Sequence, residues 1–457
     1  AYTCFKADAS SRRTLQTTIN NNTINPQNNE GRSTTTFANS GLAVYYTNTA
    51  FPVITTADKL LSVNYYDTYP AVGTPFPTGN KIQNVPILQE VATTGVIQTT
   101  KSFLTASFVK NIENNNWTKN YTFYDQKGRP IGSHSVNHLS GYTKIESILD
   151  FTGVPLQTFT YHKRKNTDAE LQIKERFVYN LNNNALEKHY HEVVGKTPEE
   201  LLTENTYNEI GQLTKKKVGN NIQEIDFSYN IRGWMIGINL EDAGNFKPSK
   251  LFNYKINYNE VLSNFITTPY TADQSLEVKE KFNGNISAVT WKSNADPVAT
   301  EKKYGYVYDK LNRLSAGFYY EKFGTSFLFT EEYNELLDYD HNGNIKHLKR
   351  FSFKESTAAN MIDNLTYTYE NNNQSNRLQK IDDPANNASG YEGGGVPNSY
   401  DLNGNMTQMP DKGITTPIAY NFLNLPSMIK QGRNTTNYLY RSDGTKMKKT
   451  LNCVNKQ

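Results

Sequence analysis

Between Tyr124 and Met447 the chain keeps repeating one short pattern: an aromatic, then Asp or Asn, two variable residues, Gly or Asn, and soon an aliphatic residue. Such a period decides the architecture before any single residue is weighed, because each unit must cover its edges with the next. The clearest copies are Tyr124-Asp125-Gln126-Lys127-Gly128, Tyr207-Asn208-Glu209-Ile210-Gly211, Tyr229-Asn230-Ile231-Arg232-Gly233, Tyr339-Asp340-His341-Asn342-Gly343 and Tyr400-Asp401-Leu402-Asn403-Gly404. Weaker copies start at Leu149, Tyr179, Phe282, Tyr308, Tyr369, Tyr420 and Tyr440. They recur at roughly 20 to 31 residues, a period typical of repeat architectures. One gap, from Tyr229 to Phe282, is about twice as long as this period, and Tyr258-Asn259-Glu260-Val261 reads as a decayed copy inside it.

The physics of one unit is local. A type I turn favours Asp or Asn at its first position, where the side chain bonds back to the backbone, and Gly at its fourth, where φ turns positive. Asp125 with Gly128, Asp150 with Gly153, Asp340 with Gly343 and Asp401 with Gly404 have that spacing. Where Gly is missing, Asn183, Asn312 and Asn424 take its place, and Asn tolerates a left-handed backbone best among the other residues. The flanks alternate apolar with polar, as in Phe177-Val178-Tyr179 and Ile345-Lys346-His347-Leu348, which is strand periodicity. Each repeat therefore reads as strand, tight turn, strand, and the fold class as all-β.

Composition narrows the form of that sheet. A hydrophobic fraction of 36% with 31 Tyr is too poor in aliphatic residues to fill one large core across 457 residues. A long, curved sheet with wet surfaces fits better, since a Tyr ring packs across strands while its hydroxyl reaches water. Residues 1–120 are Thr- and Asn-rich, with strand-like pieces at Ala43–Tyr46 and Leu61–Tyr66 broken by Pro70, Pro75 and Pro77, and read as an irregular β segment leading into the array at 121–457. Asn386–Gly395 reads as the flexible loop, and Pro198-Glu199-Glu200-Leu201-Leu202 as the opening of a short helical turn.

Charge excludes more than it suggests. The balance of 48 basic and 44 acidic residues gives +4, and short runs such as Lys215-Lys216-Lys217 read as solvated strand positions, so no nucleic-acid partner is expected. Cys4 and Cys453 lie at opposite ends, with no metal or redox spacing and at most a bridge between the two termini. No apolar stretch is long enough to span a bilayer as a helix. The start at Ala1 suggests a processed or cropped N-terminus.

The Tyr-Asp pairs Tyr124-Asp125, Tyr308-Asp309, Tyr339-Asp340 and Tyr400-Asp401, each with its turn residue and trailing aliphatic, resemble the YD repeats of Rhs proteins. Tyr121–Gly132, Glu204–Lys217, Asp226–Ile238 and Tyr438–Thr450 look especially like Rhs proteins of the Bacteroidetes group. The resemblance runs from about residue 121 to the end and more loosely from about 40. It implies strand-turn-strand units joined edge to edge into one long spiralling sheet, a hollow shell or part of one, commonly enclosing a C-terminal toxin. The family's Asp-Pro-x-Gly type self-cleavage motif is missing, since neither Asp296-Pro297 nor Asp383-Pro384 continues into it. Self-cleavage and toxicity are therefore not expected of these residues. About a dozen repeats are fewer than a closed shell of the family uses, which implies ends left open or capped by another chain.

His189 and His191, with Glu187, share a strand face at a spacing that can hold a metal, yet residues two apart share a face by default. His134 and His138 fall in strand and loop, where a spacing of four means little. Asp382-Asp383 and Glu331-Glu332 suit glycoside hydrolysis only if carboxylates face across a cleft, and turn capping explains them. The Asp-x-x-Gly turns lack the ligand alternation of a calcium loop. No metal or other cofactor is expected. A file of Tyr side chains could grip a glycan or peptide, but phase-locking of Tyr to the turn favours packing against the next repeat.

The sequence thus predicts a non-enzymatic Rhs-type shell or shell fragment, secreted or at the cell surface, that encloses or presents a protein partner. The rival expectations are an outer-membrane complex linked to type 9 secretion and a carbohydrate-binding adhesion module. The residues expected to carry the structural role are Tyr124, Asp125, Gly128, Tyr207, Gly211, Tyr229, Gly233, Tyr308, Asp309, Tyr339, Asp340, Gly343, Tyr400, Asp401 and Gly404.

Overall fold

A computed structural model describes residues 2–5, 31–49, 53–89, 91–93, 96–181, 183–261, 265–269, 276–354 and 359–453. Ala1, where the processed start was expected, lies outside them, and the Cys4 side chain is likewise outside the description. The chain is all-β, 52% strand and 3% helix, with one long antiparallel sheet and several small hairpins. It divides into two compact units, Ala1–Glu204 with Tyr420–Ser427 and Thr436–Leu451, and Asn205–Ala419 with Met428–Thr435 and Asn452–Gln457.

In the first unit the strands Lys59–Tyr66, Leu104–Lys110 and Trp117–Tyr124 pair antiparallel, and pairing then follows chain order to Leu186–Val193. Every second residue of Leu42–Tyr46 is buried, and Val44, Leu60, Val63 and Tyr65 are fully enclosed. Tyr46 stacks on Tyr65 at 5.1 Å, with the Arg32 guanidinium 4.4 Å over the Tyr65 ring. This packed patch is a local core built by the Pro-interrupted leader and the first hairpins. Beyond it, all nine residues of Leu171–Tyr179 and all eight of Leu186–Val193 are half-buried, so neither face of the sheet is enclosed there. Such strands are held by their ladders and by cross-strand pairs such as Lys188–Glu204 at 3.1 Å, each adding under about 1 kcal/mol.

The segment 436–451 belongs to the same unit. Ile112 donates its amide to Tyr440 O at 2.9 Å, Ser442 its amide to Lys110 O at 2.8 Å, and Ser442 Oγ reaches Leu61 O at 2.7 Å. Glu113 accepts the Tyr440 amide at 3.0 Å. A copy of the repeat near the end of the sequence is thereby tied to strands near its beginning.

In the second unit pairing again follows the chain, from Leu213–Val218 through Gln223–Tyr229 to Leu378–Asp382. Its core forms around Leu314–Phe323, where Ala316, Phe318 and Tyr320 are fully buried against Val278, Val307 and Phe327. Helix is almost absent from the described residues. Glu200–Tyr207 is a strand, which corrects the helical turn expected at Pro198–Leu202: the ladder with Lys188–His191 outweighs a favourable N1 proline. Glu370–Asn373 is a turn whose Asn371, Asn372 and Asn373 are all left-handed, at φ 53°, 57° and 63°. Asn386–Gly395 carries no strand or helix.

Candidate functional site

The repeated turn has one geometry. In the copy at Tyr124, the Gly128 amide donates to Asp125 O and the Asp125 amide to Arg129 O, both at 2.9 Å. Asp125 Oδ1 accepts the Lys127 and Arg129 amides, again at 2.9 Å, and Gly128 sits at φ 77°. Asn208, Asn230, Asp309, Asp340 and Asp401 receive the same two amides, two and four residues on. Gly211, Gly233, Gly343 and Gly404 lie at φ 80°, 79°, 92° and 84°. Asn312 and Asn424 occupy the glycine position at φ 61° and 57°. At the copy starting with Tyr179, Asn184 is left-handed at φ 53° and its amide closes the turn to Asn180 O at 3.0 Å.

The aromatic that opens each copy sits at a register shift. Tyr124 faces Pro130, Tyr229 Met235, Tyr308 Leu314, Tyr339 Ile345 and Tyr400 Met406 across the hairpin. Tyr207 closes the strand Glu200–Tyr207 in the same place before Asn208. A turn followed by a left-handed residue produces this bulge and fixes which face the aromatic occupies.

That placement lets the Tyr hydroxyls link neighbouring repeats. Tyr124, Tyr179, Tyr258, Tyr308, Tyr339, Tyr369 and Tyr400 donate to the carbonyls of Leu104, Pro155, Met235, Ile286, Leu314, Ile345 and Leu378, at 2.5 to 3.1 Å. The acceptor lies 20 to 25 residues upstream, one repeat away. For Tyr258, Tyr339, Tyr369 and Tyr400 it is the residue facing the preceding copy's aromatic across its hairpin. Contact with the next repeat was expected from sequence; the hydroxyl instead reaches back to the previous one. Tyr258 makes this bond from inside the long interval, where the decayed copy was read.

A second link runs forward, from a residue that the sequence reading did not single out. Arg129, just after Gly128, donates Nε to Asp125 Oδ2 at 2.8 Å and Nη1 to Asp150 O, in the next turn, at 2.7 Å. Arg313 repeats this with Asp309 Oδ2 at 2.7 Å and Asp340 O at 3.0 Å, its guanidinium 4.5 Å above the Tyr339 ring. Asn344 and Asn405 hold the same position and bond Asp340 Oδ2 and Asp401 Oδ2. A long polar residue directly after the turn Gly or Asn was the available signal.

Tyr339→Phe tests the backward link. Losing a hydroxyl that satisfies the Leu314 carbonyl should lower stability by about 1 kcal/mol, read as a drop in the urea midpoint of the full chain. An unchanged midpoint would mean the bond contributes nothing.

The turn carboxyls are held below their ordinary range. At Asp125 burial pushes the carboxyl up, but hydrogen bonds from the Arg129 backbone and side chain and the Lys127 amide outweigh it. At Asp401 the Asn405 side chain is the largest cause and lowers it directly. A depressed folded pKa means the stabilisation is complete above the unfolded carboxylate value, about 3.9, and is lost as pH falls through the lower folded value. Acidification from pH 7 to 3 should therefore lower the urea midpoint, and Asp340→Asn with Asp401→Asn should reduce that drop. An undiminished drop would place the acid-sensitive groups elsewhere.

Several of the other candidate groups have structural partners. His189 Nε2 lies 3.0 Å from Glu175 Oε1, and its ring stacks on Phe177 at 4.6 Å. Asp383 Oδ1 accepts the Asn364 and Ala385 amides at 2.9 and 3.0 Å, while Asp382 pairs with Lys380. Glu331 is a left-handed turn residue at φ 63°. Cys453 is a free, exposed thiol, so the terminal bridge is not formed.

No protein-family profile and no curated protein matches the chain. Among solved structures it is similar to the crystal structure of TcdB2-TccC3-TEV, at 14% identity and TM-score 0.43 over 96% of this chain and 21% of that one. It is also similar to the Photorhabdus luminescens Tc holotoxin pore with mutated TccC3, at 15% identity and TM-score 0.41 over 90% of this chain and 22% of that one. The crystal structure of TcdB2-TccC3 gives 14% and 0.41 over 90% and 23%. The chain spans about a fifth of the length of these structures, and at TM-scores below 0.5 the likeness assigns neither fold nor function.

Proposed function

We propose that this chain is a non-enzymatic wall element of Rhs type, exported to the cell surface or beyond, that encloses or presents a protein partner. The observation that carries this reading is the two-way link between repeats. Tyr hydroxyls bond the preceding repeat and Arg side chains the following turn, so the residues that define the motif are committed to continuity of the sheet. In this reading Tyr124, Asp125, Gly128 and their counterparts through Gly404 are structural. Half-buried strands enclosed on neither face suit a wall that meets solvent on one side and a guest on the other. The YD resemblance of the sequence supports the same role. A glycan-binding file of Tyr is less well supported, because the repeat hydroxyls that would meet sugar are already donating to backbone carbonyls.

The test is purification of the natural full-length product from its source, with crosslinking and mass spectrometry of what travels with it. The reading predicts a protein guest, or a further segment of the same product, at fixed stoichiometry and crosslinked to residues of the half-buried strands. Recovery of the chain alone, retained by a glycan column, would contradict it.

A further inference from the structure

Four neighbouring strands of the second unit, Phe252–Asn257, Ala288–Ser293, Lys302–Tyr308 and Leu314–Phe323, sort their side chains by face. In register, Asn253 faces Lys292, Lys255 faces Thr290, and Thr290 faces Lys303. Residues directly opposite in a sheet share a face, so these lie together. Trp291, Tyr304 and Tyr319 alternate onto the other face, where Tyr304 lies 6.0 Å from Trp291 and 5.7 Å from Tyr319. Lys255, Lys292 and Lys303 thus share one face, with Tyr320 opposite Lys303, while Trp291, Tyr304 and Tyr319 lie on the other with Lys302.

The lysine face is the wall of a cleft of about 470 Å³, whose lining also includes the loop Gly244–Pro248 and the hairpin residues Gly324, Thr325 and Phe327. This volume falls in the range of small-ligand sites. Five lysines line it against one acid, Glu301. Lys322 pairs with Glu301 at 2.6 Å and Lys247 with Asp226 at 2.7 Å. Lys255 and Lys292 have no ion pair among the described residues. Lys255 Nζ lies under the loop, 3.3 Å from where a Cβ on Gly244 would be.

The site is built rather than incidental. Lys303 is fully buried, its ammonium 4.3 Å over the Phe265 ring and 4.5 Å over Phe327. Burial, with Lys255 adding to it, brings its pKa down to about 8, so the cleft holds positive charge at a cost. Lys255 and Lys292, cations without an ion pair among the described residues, are stabilised in a partly enclosed cleft by an anion that neutralises both.

We infer that this cleft is a binding site for a small polyvalent oxyanion, a compound bearing two or more phosphate or carboxylate groups, held by Lys255 and Lys292 at the mouth of the lysine face. The two chemistries share the ammonium contacts and differ in geometry and charge density. The site is independent of whether the ribbon encloses a guest.

The full chain is titrated calorimetrically with inorganic pyrophosphate and, separately, with citrate, at low salt and neutral pH. Saturable one-to-one binding is expected, weakened at least tenfold in Lys255→Gln/Lys292→Gln and unchanged in Lys446→Gln/Lys449→Gln, which alters lysines outside the cleft. Binding of pyrophosphate alone assigns a phosphate-bearing ligand, and of citrate alone a polycarboxylate. If the double variant does not fold, protection of Lys292 from reductive methylation by the same anions in the unaltered chain gives the reading. Absence of saturable binding by either anion, binding indifferent to the double substitution, or no protection of Lys292 would overturn the inference.

Discussion

Gly343→Val lowers the urea midpoint of the full chain by the equivalent of about 1 to 3 kcal/mol, and Gly404→Val does the same. The cause is the backbone rather than crowding. A Cβ at Gly404 would meet nothing within 4 Å, and at Gly343 only Arg313 Nη1 at 4.0 Å. Both glycines lie at φ above 80°, where a β-branched residue is strained whatever the space around it. Asn342→Val, one residue earlier in the same turn, serves as the control and should change the midpoint little. Asn312→Gly should be tolerated, because φ 61° already sits where glycine is at ease. Equal midpoints for Gly343→Val and the original chain would remove the left-handed turn as the element that fixes the repeat.

Arg350→Met should cost as much, about 2 to 3 kcal/mol, although the arginine side chain is 40% exposed, because the carboxylate end of the pair is enclosed. The Asp363 side chain is fully buried, receives Arg350 Nε at 2.6 Å and Nη2 at 2.5 Å, and accepts the Tyr391 amide at 2.6 Å. Removing the arginine leaves a buried carboxylate without its cation, and that desolvation penalty exceeds the worth of any exposed pair. Lys215–Glu224, with both side chains more than a third exposed, should by contrast lose under about 1 kcal/mol when broken. Because Asp363 also anchors the segment before Tyr391, Arg350→Met should speed proteolysis within Asn386–Gly395. Arg350→Met/Asp363→Leu should recover most of the stability, which is read by denaturant titration of the three variants. A single substitution as mild as the exposed-pair control would mean Asp363 is not dependent on Arg350.

The turns were legible because their chemistry is local. Asp340, Asn342 and Gly343 meet within five residues, so backbone preference and side-chain acceptor appear together in the sequence. The backward Tyr link was only half legible: the period tied Tyr339 to its turn, but the carbonyl of Leu314 carries no side-chain signature. Arg129 and Arg313 went unread because their role needs both their own turn and the following one. At Pro198–Leu202 a local capping signal pointed to helix, and the ladder to the strand Leu186–Val193 decided otherwise. The leader looked irregular because its prolines and Thr/Asn content hide the alternation that buries Leu42, Val44, Leu60 and Val63. The lysine cleft has no linear motif at all, since Lys255, Lys292 and Lys303 come from three strands and meet only through register.

Continuity between repeats is measured most directly by hydrogen exchange with mass spectrometry on Arg313→Met. Arg313 belongs to the turn at Asp309 and reaches the turn at Asp340. Faster amide exchange is predicted in both turns, at Leu311–Arg313 and at Asn342–Asn344, with the turn at Asp401–Gly404 unchanged. Exchange that quickens only around Asp309 would contradict the account, leaving a row of independent hairpins in place of a mechanically linked wall.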